Sequence, residues 1–219
     1  MIGPEYEFLF ADIGMNGRNS DGGNWSQSPL KLALECDAQN LPDPQPLPGR
    51  QNVVPYVCTG DDAFPLSRYM MKPYPQKGLT PEKRVFNYRL SRMRRISENG
   101  FGILANRWRV FRRPFALEPE KVKTITIATI TLHNWLRKDS PYGKVYVPGD
   151  LVDNEDVTTG KITDGSWRVD APTESWYSLS STKASNATHQ AKAIREEFKE
   201  YFNNEGCVQW QWRCARLDM

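Results

Sequence analysis

Two acidic residues stand where a hard metal ion could use them. Asp61 follows a short apolar segment that is typical of a strand, and Glu98 lies 37 residues later in a predicted basic helix. A cation such as Mg²⁺ takes one or two protein carboxylates and leaves its other positions to water and substrate phosphates. The arginines around Glu98 indicate that these phosphates belong to nucleic acid.

Basic residues are concentrated around Glu98. The stretch 82–113 holds ten basic residues and two acids, a net charge of +8, although the whole chain carries only +3. The stretch 150–174 holds seven acids and two bases, a net charge of −5. A solvated helix face would explain the arginines in the plainest way. Because they surround an acid that could bind metal, we favour a nucleic-acid surface.

The element predicted to position Asp61 is a strand over Tyr56–Thr59. Ligand groups favour the carboxyl ends of strands in open α/β sheets, and Asp61 follows this one. Asp62 would point the other way if the strand continued. We therefore assign a metal to Asp61 and treat Asp62 as a supporting group or a solvated turn residue.

The element predicted to position Glu98 is a long amphipathic helix that starts at Thr80-Pro81. Its predicted buried face recurs at steps of three and four residues and comprises Phe86, Leu90, Met93, Ser97, Phe101, Leu104, Trp108 and Phe111. Glu98 lies off this face. Gly100 and Gly102 each cost a helix about 1 kcal/mol relative to alanine. Two reasons for them stay open, which are a close approach of metal or DNA to Glu98 and close packing of the helix.

The remaining elements follow from caps, prolines and periodicity. We expect a strand at Tyr6–Phe10, a loop at Gly14–Gly23, a helix over Leu30–Cys36 capped by Ser28, a helix beginning at Leu117–Pro119, and a last helix over Thr188–Asn203. The acidic residues 138–186 are expected to be loosely ordered. His133 is interpreted as a structural histidine rather than a base. Trp210 and Trp212 are expected to dock on the core or on a partner rather than to stack on bases.

Several motifs occur in one order along the first part of the chain. They are Asp12-Ile13-Gly14-Met15-Asn16-Gly17-Arg18-Asn19-Ser20-Asp21, Gly60-Asp61-Asp62-Ala63-Phe64-Pro65-Leu66, Met71-Lys72-Pro73-Tyr74, Phe86-Asn87-Tyr88-Arg89-Leu90-Ser91, Ser97-Glu98-Asn99-Gly100-Phe101-Gly102-Ile103-Leu104 and Leu132-His133-Asn134-Trp135-Leu136. Together they resemble the harbinger transposase-derived nucleases, which are DDE-type endonucleases with a ribonuclease-H-like core. The resemblance covers roughly residues 5 to 137.

The resemblance implies a site and a chemistry. Asp61 and Glu98 would be the second and third acids of a catalytic triad that binds Mg²⁺ or Mn²⁺ and cleaves DNA, with Asp21 as an accessory carboxylate. The phosphate-binding residues would be Arg92, Arg94, Arg95, Arg107 and Arg109. The family's first acid lies in an Asp-Gly-Lys/Thr-His-like segment that has no counterpart in residues 1–219. We therefore expect a chain truncated at its N-terminus, without its first metal ligand.

The expected fold is α/β, a ribonuclease-H-like core of the DDE transposase and integrase type, incomplete at its N-terminus, with a C-terminal helical appendage. The expected divisions are an endonuclease domain at 5–137, an acidic, loop-rich linker at 138–186, and a helix with a tryptophan-containing tail at 187–219. The expected location is the nucleus, with the cytoplasm as the alternative. DNA is the expected partner, and a separate DNA-binding protein stays open.

Two function classes remain open at this point. One is a metal-dependent DNA endonuclease, inactive if its first acid is missing, and the other is a domesticated nuclear protein that binds DNA or a partner without catalysis. Composition excludes a membrane span, because no apolar run approaches roughly 20 residues. The four cysteines show no CxxC spacing, which favours reduced thiols in an intracellular compartment and disfavours a zinc site.

Overall fold

Three longer helices, several short ones and strands of two residues make up the described part of the chain. The computed structural model describes residues 1–15, 21–36, 41–138, 141–169 and 187–217. Their elements are α1 (Asp21–Gln27), α2 (Pro29–Glu35), β1 (Gln45–Pro46), β2 (Val53–Val54), β3 (Cys58–Thr59), β4 (Met70–Met71), α3 (Pro81–Arg107), α4 (Pro119–Lys138), α5 (Gly143–Tyr146), β5 (Asn154–Glu155), β6 (Ile162–Thr163), α6 (His189–Asn203) and α7 (Gln211–Cys214). Turns of 3₁₀ helix cover Arg109–Arg112 and Ser166–Arg168.

The sheets among the described residues are all two-stranded. Strands β1 and β2 pair antiparallel, as do β5 and β6, where Asn154 lies opposite Thr163. Strands β3 and β4 pair in parallel, with Cys58 opposite Met70 and Thr59 opposite Met71. Helices and small sheets together agree with the predicted α/β class.

The chain divides into two units, and each combines two separate stretches of the sequence. The first unit comprises Met1–Asn16 and Arg95–Ser178, and the second comprises Gly17–Arg94 and Leu179–Met219. The division falls within α3, between Arg94 and Arg95. The divisions expected from the sequence run in chain order instead, with boundaries after residues 137 and 186.

The core of the second unit joins α6 to the first half of α3. Its buried members are Leu66, Met71, Tyr74, Val85, Phe86, Leu90, Ala191, Ile194 and Phe202. Phe86 contacts the ring of Tyr74 edge-on, and the ring of Phe202 lies 6.0 Å from it. The predicted last helix therefore supplies part of this unit's core.

The core of the first unit is built on Ile103, Tyr146 and Leu151. Two of these come from the segment that the sequence predicts to be loosely ordered. The described part of that segment, 141–169, instead forms α5 and the β5–β6 hairpin and packs against α3. Residues 170–186 lie outside the described part of the chain.

The helix starts are where caps and prolines place them. The Ser28 side chain accepts from the Leu30 N–H at the start of α2, and the Thr188 side chain accepts from the Ala191 N–H at the start of α6. Helices α3 and α4 each begin at a proline. These signals are reliable because a cap or a proline acts on a few neighbouring residues.

The predicted strand at Tyr6–Phe10 is wrong. Tyr6 has a φ of 66°, which lies outside the extended region and interrupts the run. A single bridge between Ile2 and Phe8 remains. The N–H and C=O of Phe8 bond to the side chain of Asn134, at 2.8 and 2.9 Å, in place of a neighbouring strand.

The predicted loop at Gly14–Gly23 is wrong at its end, because α1 already begins at Asp21. Two glycines make Asp21–Gln27 a poor helix by propensity. Burial of Trp25, whose ring lies 5.8 Å from that of Phe64, favours the helix instead. Residues 16–20 lie outside the described residues.

The buried face of α3 differs in part from its predicted stripe. Phe86, Leu90 and Leu104 are buried as predicted, but Met93 and Phe101 are exposed. Val85 and Ile103 are fully buried instead. Periodicity locates the helix correctly, but it cannot say which neighbouring segments cover each turn.

Candidate functional site

In the second unit, Asp61 stands two residues beyond the carboxyl end of β3. Its Oδ1 accepts the N–H of Ala63 at 3.0 Å, and its backbone C=O accepts the N–H of Phe64. Gly60 precedes it because a Cβ there would lie 2.9 Å from the Phe64 ring. This turn fixes the carboxylate at the strand end, while the side chain is only partly buried.

Lys72, directly after β4, is the cation beside this turn. Its ammonium donates to the backbone C=O of Asp62. Partial burial lowers the pKa of Lys72, whereas the carboxylates of Asp62 and Asp61 oppose that shift. Because β3 and β4 are parallel neighbours, Lys72 and the two acids follow the same end of this small sheet.

In the first unit, Glu98 projects from α3 toward an arginine that the sequence did not single out. The Nη2 of Arg168 lies 3.3 Å from Glu98 Oε2. The Glu98 side chain remains 47% exposed, so this contact leaves much of the carboxylate in water. Arg168 comes from the 3₁₀ turn after β6, 70 residues further along the chain.

The stronger partner of Arg168 is Asp153. The arginine Nε and Nη2 donate to the two oxygens of this carboxylate at 2.8 and 2.5 Å. The Asp153 side chain is fully buried, and its Oδ1 also accepts the N–H of Gly165. Burial by itself would raise the pKa of Asp153, but the bonds from Arg168 and Gly165 hold it below its usual value. The same pair raises the pKa of Arg168.

Asn99 and Gly102 attach this segment to α3. Asn99 Oδ1 accepts the backbone N–H of Asp153 at 3.2 Å and the indole N–H of Trp167 at 2.9 Å. A Cβ on Gly102 would lie 2.4 Å from the Trp167 ring, and one on Gly100 would lie 2.8 Å from Ile2. Of the two reasons left open for these glycines, close packing is the one that the structure supports.

The arginines predicted to bind phosphate have different surroundings. Arg92 lies over the ring of Trp210 at 4.5 Å, and Arg95 forms a 3.1 Å ion pair with Glu155 in which both side chains are nearly buried. Arg107 donates to the C=O groups of Tyr146 and Val145. The side chains of Arg94 and Arg109 contact no other described residue through an ion pair or hydrogen bond.

His133 is a structural residue, as the sequence predicts. It is fully buried, and its two ring nitrogens lie 2.8 Å from the Tyr146 hydroxyl and the Tyr6 C=O. Burial lowers its pKa, against the hydrogen bond to Tyr6. Trp210 is buried against Tyr88, which agrees with docking on the core.

The oxygen donors of Asp61 and Glu98 are of the type that Mg²⁺ and Mn²⁺ prefer. Within the described part of the chain, no group of three His, Cys, Asp or Glu side chains is placed to hold a metal ion. Asp61 belongs to the second unit and Glu98 to the first. Their sharing of one cation therefore stays a prediction. Asp21 begins α1, but its side chain is not among those described.

Comparison with known proteins identifies the family. The family model described as DDE superfamily endonuclease matches residues 1–134, more than half of the chain and a range that includes both Asp61 and Glu98. The chain belongs to this family. No curated protein and no solved structure matches it. Over the ranges that the structure covers, no helix has the length and apolar character needed to cross a bilayer.

Sequence reasoning missed Asp153, Arg168 and Lys72. Asp153 and Arg168 lie in a stretch that stands out only by its acidity, and their partners on α3 are more than 50 residues away. The one available signal was Gly102, a helix-interior glycine that required a close neighbour. Lys72 could have been found from its place after the second strand of a parallel pair.

Proposed function

We propose that the protein is a transposase-derived, metal-dependent DNA endonuclease of the harbinger type. The observation that carries this proposal is the family match across residues 1–134, which spans both acids. The position of Asp61 in the turn after a parallel strand and the partly exposed carboxylate of Glu98 support it. A ribonuclease-H-like core is the fold that this function would use.

Different residues of the chain would bind the metal and the DNA. Asp61 and Glu98 would hold Mg²⁺ or Mn²⁺, and the exposed cations on and after α3, above all Arg94 and Arg109, would bind the DNA backbone. When bound, the metal would supply activation of the attacking oxygen and neutralisation of the leaving one. Lys72 would keep the Asp61 turn in place and balance its charge.

A third acid completes a triad of this type. The resemblance assigns it to an Asp-Gly-Lys/Thr-His-like segment that residues 1–219 do not contain. We propose that residues 1–219 alone cleave DNA little or not at all, and that activity requires a segment supplying this acid. Action on chromosomal DNA would place the protein in the nucleus, with or without a separate DNA-binding partner.

Plasmid nicking in Mn²⁺ tests this function. The samples are residues 1–219, a chain extended upstream by a segment carrying the first acid, and the extended chain with Glu98→Gln, with Glu118→Gln as the matched control. We expect nicking by the extended chain and its control and a loss of at least about 100-fold in Glu98→Gln, the scale of losing one essential electrostatic contact. An inert extended chain that still binds DNA would favour a non-catalytic nuclear protein.

A further inference from the structure

Arg168 is held beside Glu98 by three restraints. Its Nε and Nη2 donate to the two oxygens of the buried Asp153 carboxylate, its guanidinium carbon lies 4.4 Å from the centre of the Trp167 ring, and its Nη2 reaches Glu98 at 3.3 Å. A long side chain that is fixed in this way has already lost most of its rotamer freedom. Binding a ligand would therefore cost it little further entropy.

Two of the five N–H donors of this guanidinium remain unused by the described residues. The Nε hydrogen and the two Nη2 hydrogens serve Asp153 and Glu98. The Nη1 group, with its two hydrogens, has no bond to any described residue, and 35% of the side chain is exposed. The Nη1 group of Arg168 can therefore donate two hydrogen bonds to a ligand next to Glu98.

The segment that carries Arg168 is a fixed part of the first unit. Leu151 and Ile103 are buried together, and the Trp167 ring fills the space above Gly102. Asn99 bonds to both the Asp153 N–H and the Trp167 indole. The packing of this segment on α3 therefore holds Arg168 next to Glu98.

The acidic character of this segment is largely compensated where Arg168 lies. Asp153 forms an ion pair with Arg168 itself, and Glu155 forms one with Arg95. Asp156 accepts two backbone N–H groups of its own turn. Asp164 is exposed, and its Oδ1 comes no closer to the Arg168 Nε than 3.8 Å, which is a long contact for an ion pair. An anion can therefore reach Nη1.

We propose that Arg168 is a phosphate-binding residue of the Glu98 site, with Nη1 donating to a non-bridging oxygen of a DNA phosphodiester. The inference rests on the proposed function, because it takes DNA as the substrate. The two bonds to Asp153 fix the orientation of the guanidinium and therefore of Nη1, so a phosphate bound to Nη1 would have a defined position relative to Glu98. Arg107 is held in a similar way by the C=O groups of Tyr146 and Val145, but among the described residues it is Arg168 that bonds to Glu98.

The test is the binding of a 30-base-pair DNA duplex in the absence of metal. Binding is measured by fluorescence anisotropy over a range of KCl concentrations. The variant is Asp153→Asn with Arg168→Gln, which leaves the net charge unchanged and replaces the buried pair by two amides. Its matched control is Asp150→Asn with Lys161→Gln, two exposed side chains of the same segment with the same pair of charge losses. We expect the slope of log K against log[KCl] to shrink by about 0.9 in the variant, the value for one phosphate contact, and to stay unchanged in the control.

Each outcome decides the inference. A variant with wild-type slope and affinity overturns it, and so does a wild-type chain that binds no DNA, which would also overturn the proposed function. A smaller slope in the variant supports the inference even if no form of the chain nicks plasmid. If the double variant does not give the wild-type circular dichroism spectrum, Arg168→Lys decides. This change keeps the charge but removes the Nη1 donor, so several-fold weaker binding supports the inference and unchanged binding contradicts it.

Discussion

His133 is kept neutral by its surroundings. It is fully buried between the Tyr146 hydroxyl and the Tyr6 C=O, and burial lowers its pKa. In the unfolded chain a histidine titrates near 6.5. Below that pH the unfolded state takes up a proton that the folded state resists. The stabilising contribution of His133 is therefore present above about pH 6.5 and is lost as pH falls through the lowered folded value.

A comparison of wild type with His133→Gln should show this dependence. We expect the urea midpoint to fall between pH 7.5 and pH 5.5 by more in wild type than in the variant, because only wild type carries the buried imidazole. The other ionisable groups are the same in both chains, so their effects cancel in the difference. Equal falls in the two chains would mean that His133 can be protonated without loss of the fold.

The surroundings of Gly102 reverse the usual effect of replacing a helix glycine by alanine. Alanine stabilises a helix interior by about 1 kcal/mol relative to glycine. Here the added Cβ would lie 2.4 Å from the Trp167 ring, so Gly102→Ala should destabilise the protein by about 1–3 kcal/mol, the usual cost of overpacking.

The matched variant is Gly100→Ala, where the nearest atoms are the flexible methyl groups of Ile2. It should cost less than Gly102→Ala in chemical unfolding. A stabilised Gly102→Ala would show that Trp167 does not pack on α3 as described.

At the scale of elements, α3 carries neighbouring arginines with different partners. Arg95 is nearly buried against Glu155, whereas the Arg94 side chain contacts no other described residue through an ion pair or hydrogen bond. Arg95→Ala should therefore lower the free energy of unfolding by about 1–3 kcal/mol, because it removes a nearly buried ion pair with Glu155. Arg94→Ala should leave stability unchanged and reduce the salt dependence of DNA binding by about one phosphate contact.

Urea unfolding and the salt slope of DNA binding, measured on both variants, check this separation. The charge change is the same in the two, so each variant is the control for the other. The opposite result would contradict this assignment: a reduced salt slope at unchanged stability in Arg95→Ala, with no effect of Arg94→Ala on the salt slope. It would mean that Arg95 binds phosphate and Arg94 does not.

The elements that could be predicted are those specified by local chemistry. Ser28, Pro81, Pro119 and Thr188 mark helix starts that the structure confirms. The predicted strand at Tyr6–Phe10 failed because Asn134, far along the chain, takes the backbone groups of Phe8. Periodicity and capping describe a segment and its near neighbours only, and they carry no information about partners of this kind.

The same limit applies to the candidate site. Asp61 after a strand and Glu98 on a helix could be placed from the sequence, because strand ends and helix faces are local properties. The Asp153–Arg168 pair could not be placed, because it depends on the packing of 141–169 against α3. Long-range contacts decide which charged groups face an acid, and a single sequence does not show them.

For the molecule as a whole, the proposed activity requires Asp61 and Glu98 to act together. They belong to different units, and each is held by its own local structure, a turn after β3 and the Arg168 contact on α3. If the two carboxylates bind one cation, their substitutions cannot have independent effects on metal binding. Substitutions at separate sites would instead add.

The most direct test is Mn²⁺ binding, measured from the electron paramagnetic resonance signal of the free ion. The samples are wild type, Asp61→Asn, Glu98→Gln and the double variant, and Glu118→Gln is the control. We predict that wild type and the control bind one ion weakly, that each single substitution at the site lowers the affinity at least about tenfold, and that the double variant is no weaker than the weaker single variant. Additive losses, or a single variant with wild-type affinity, would contradict a shared metal site and with it the central claim of a DDE-type endonuclease site.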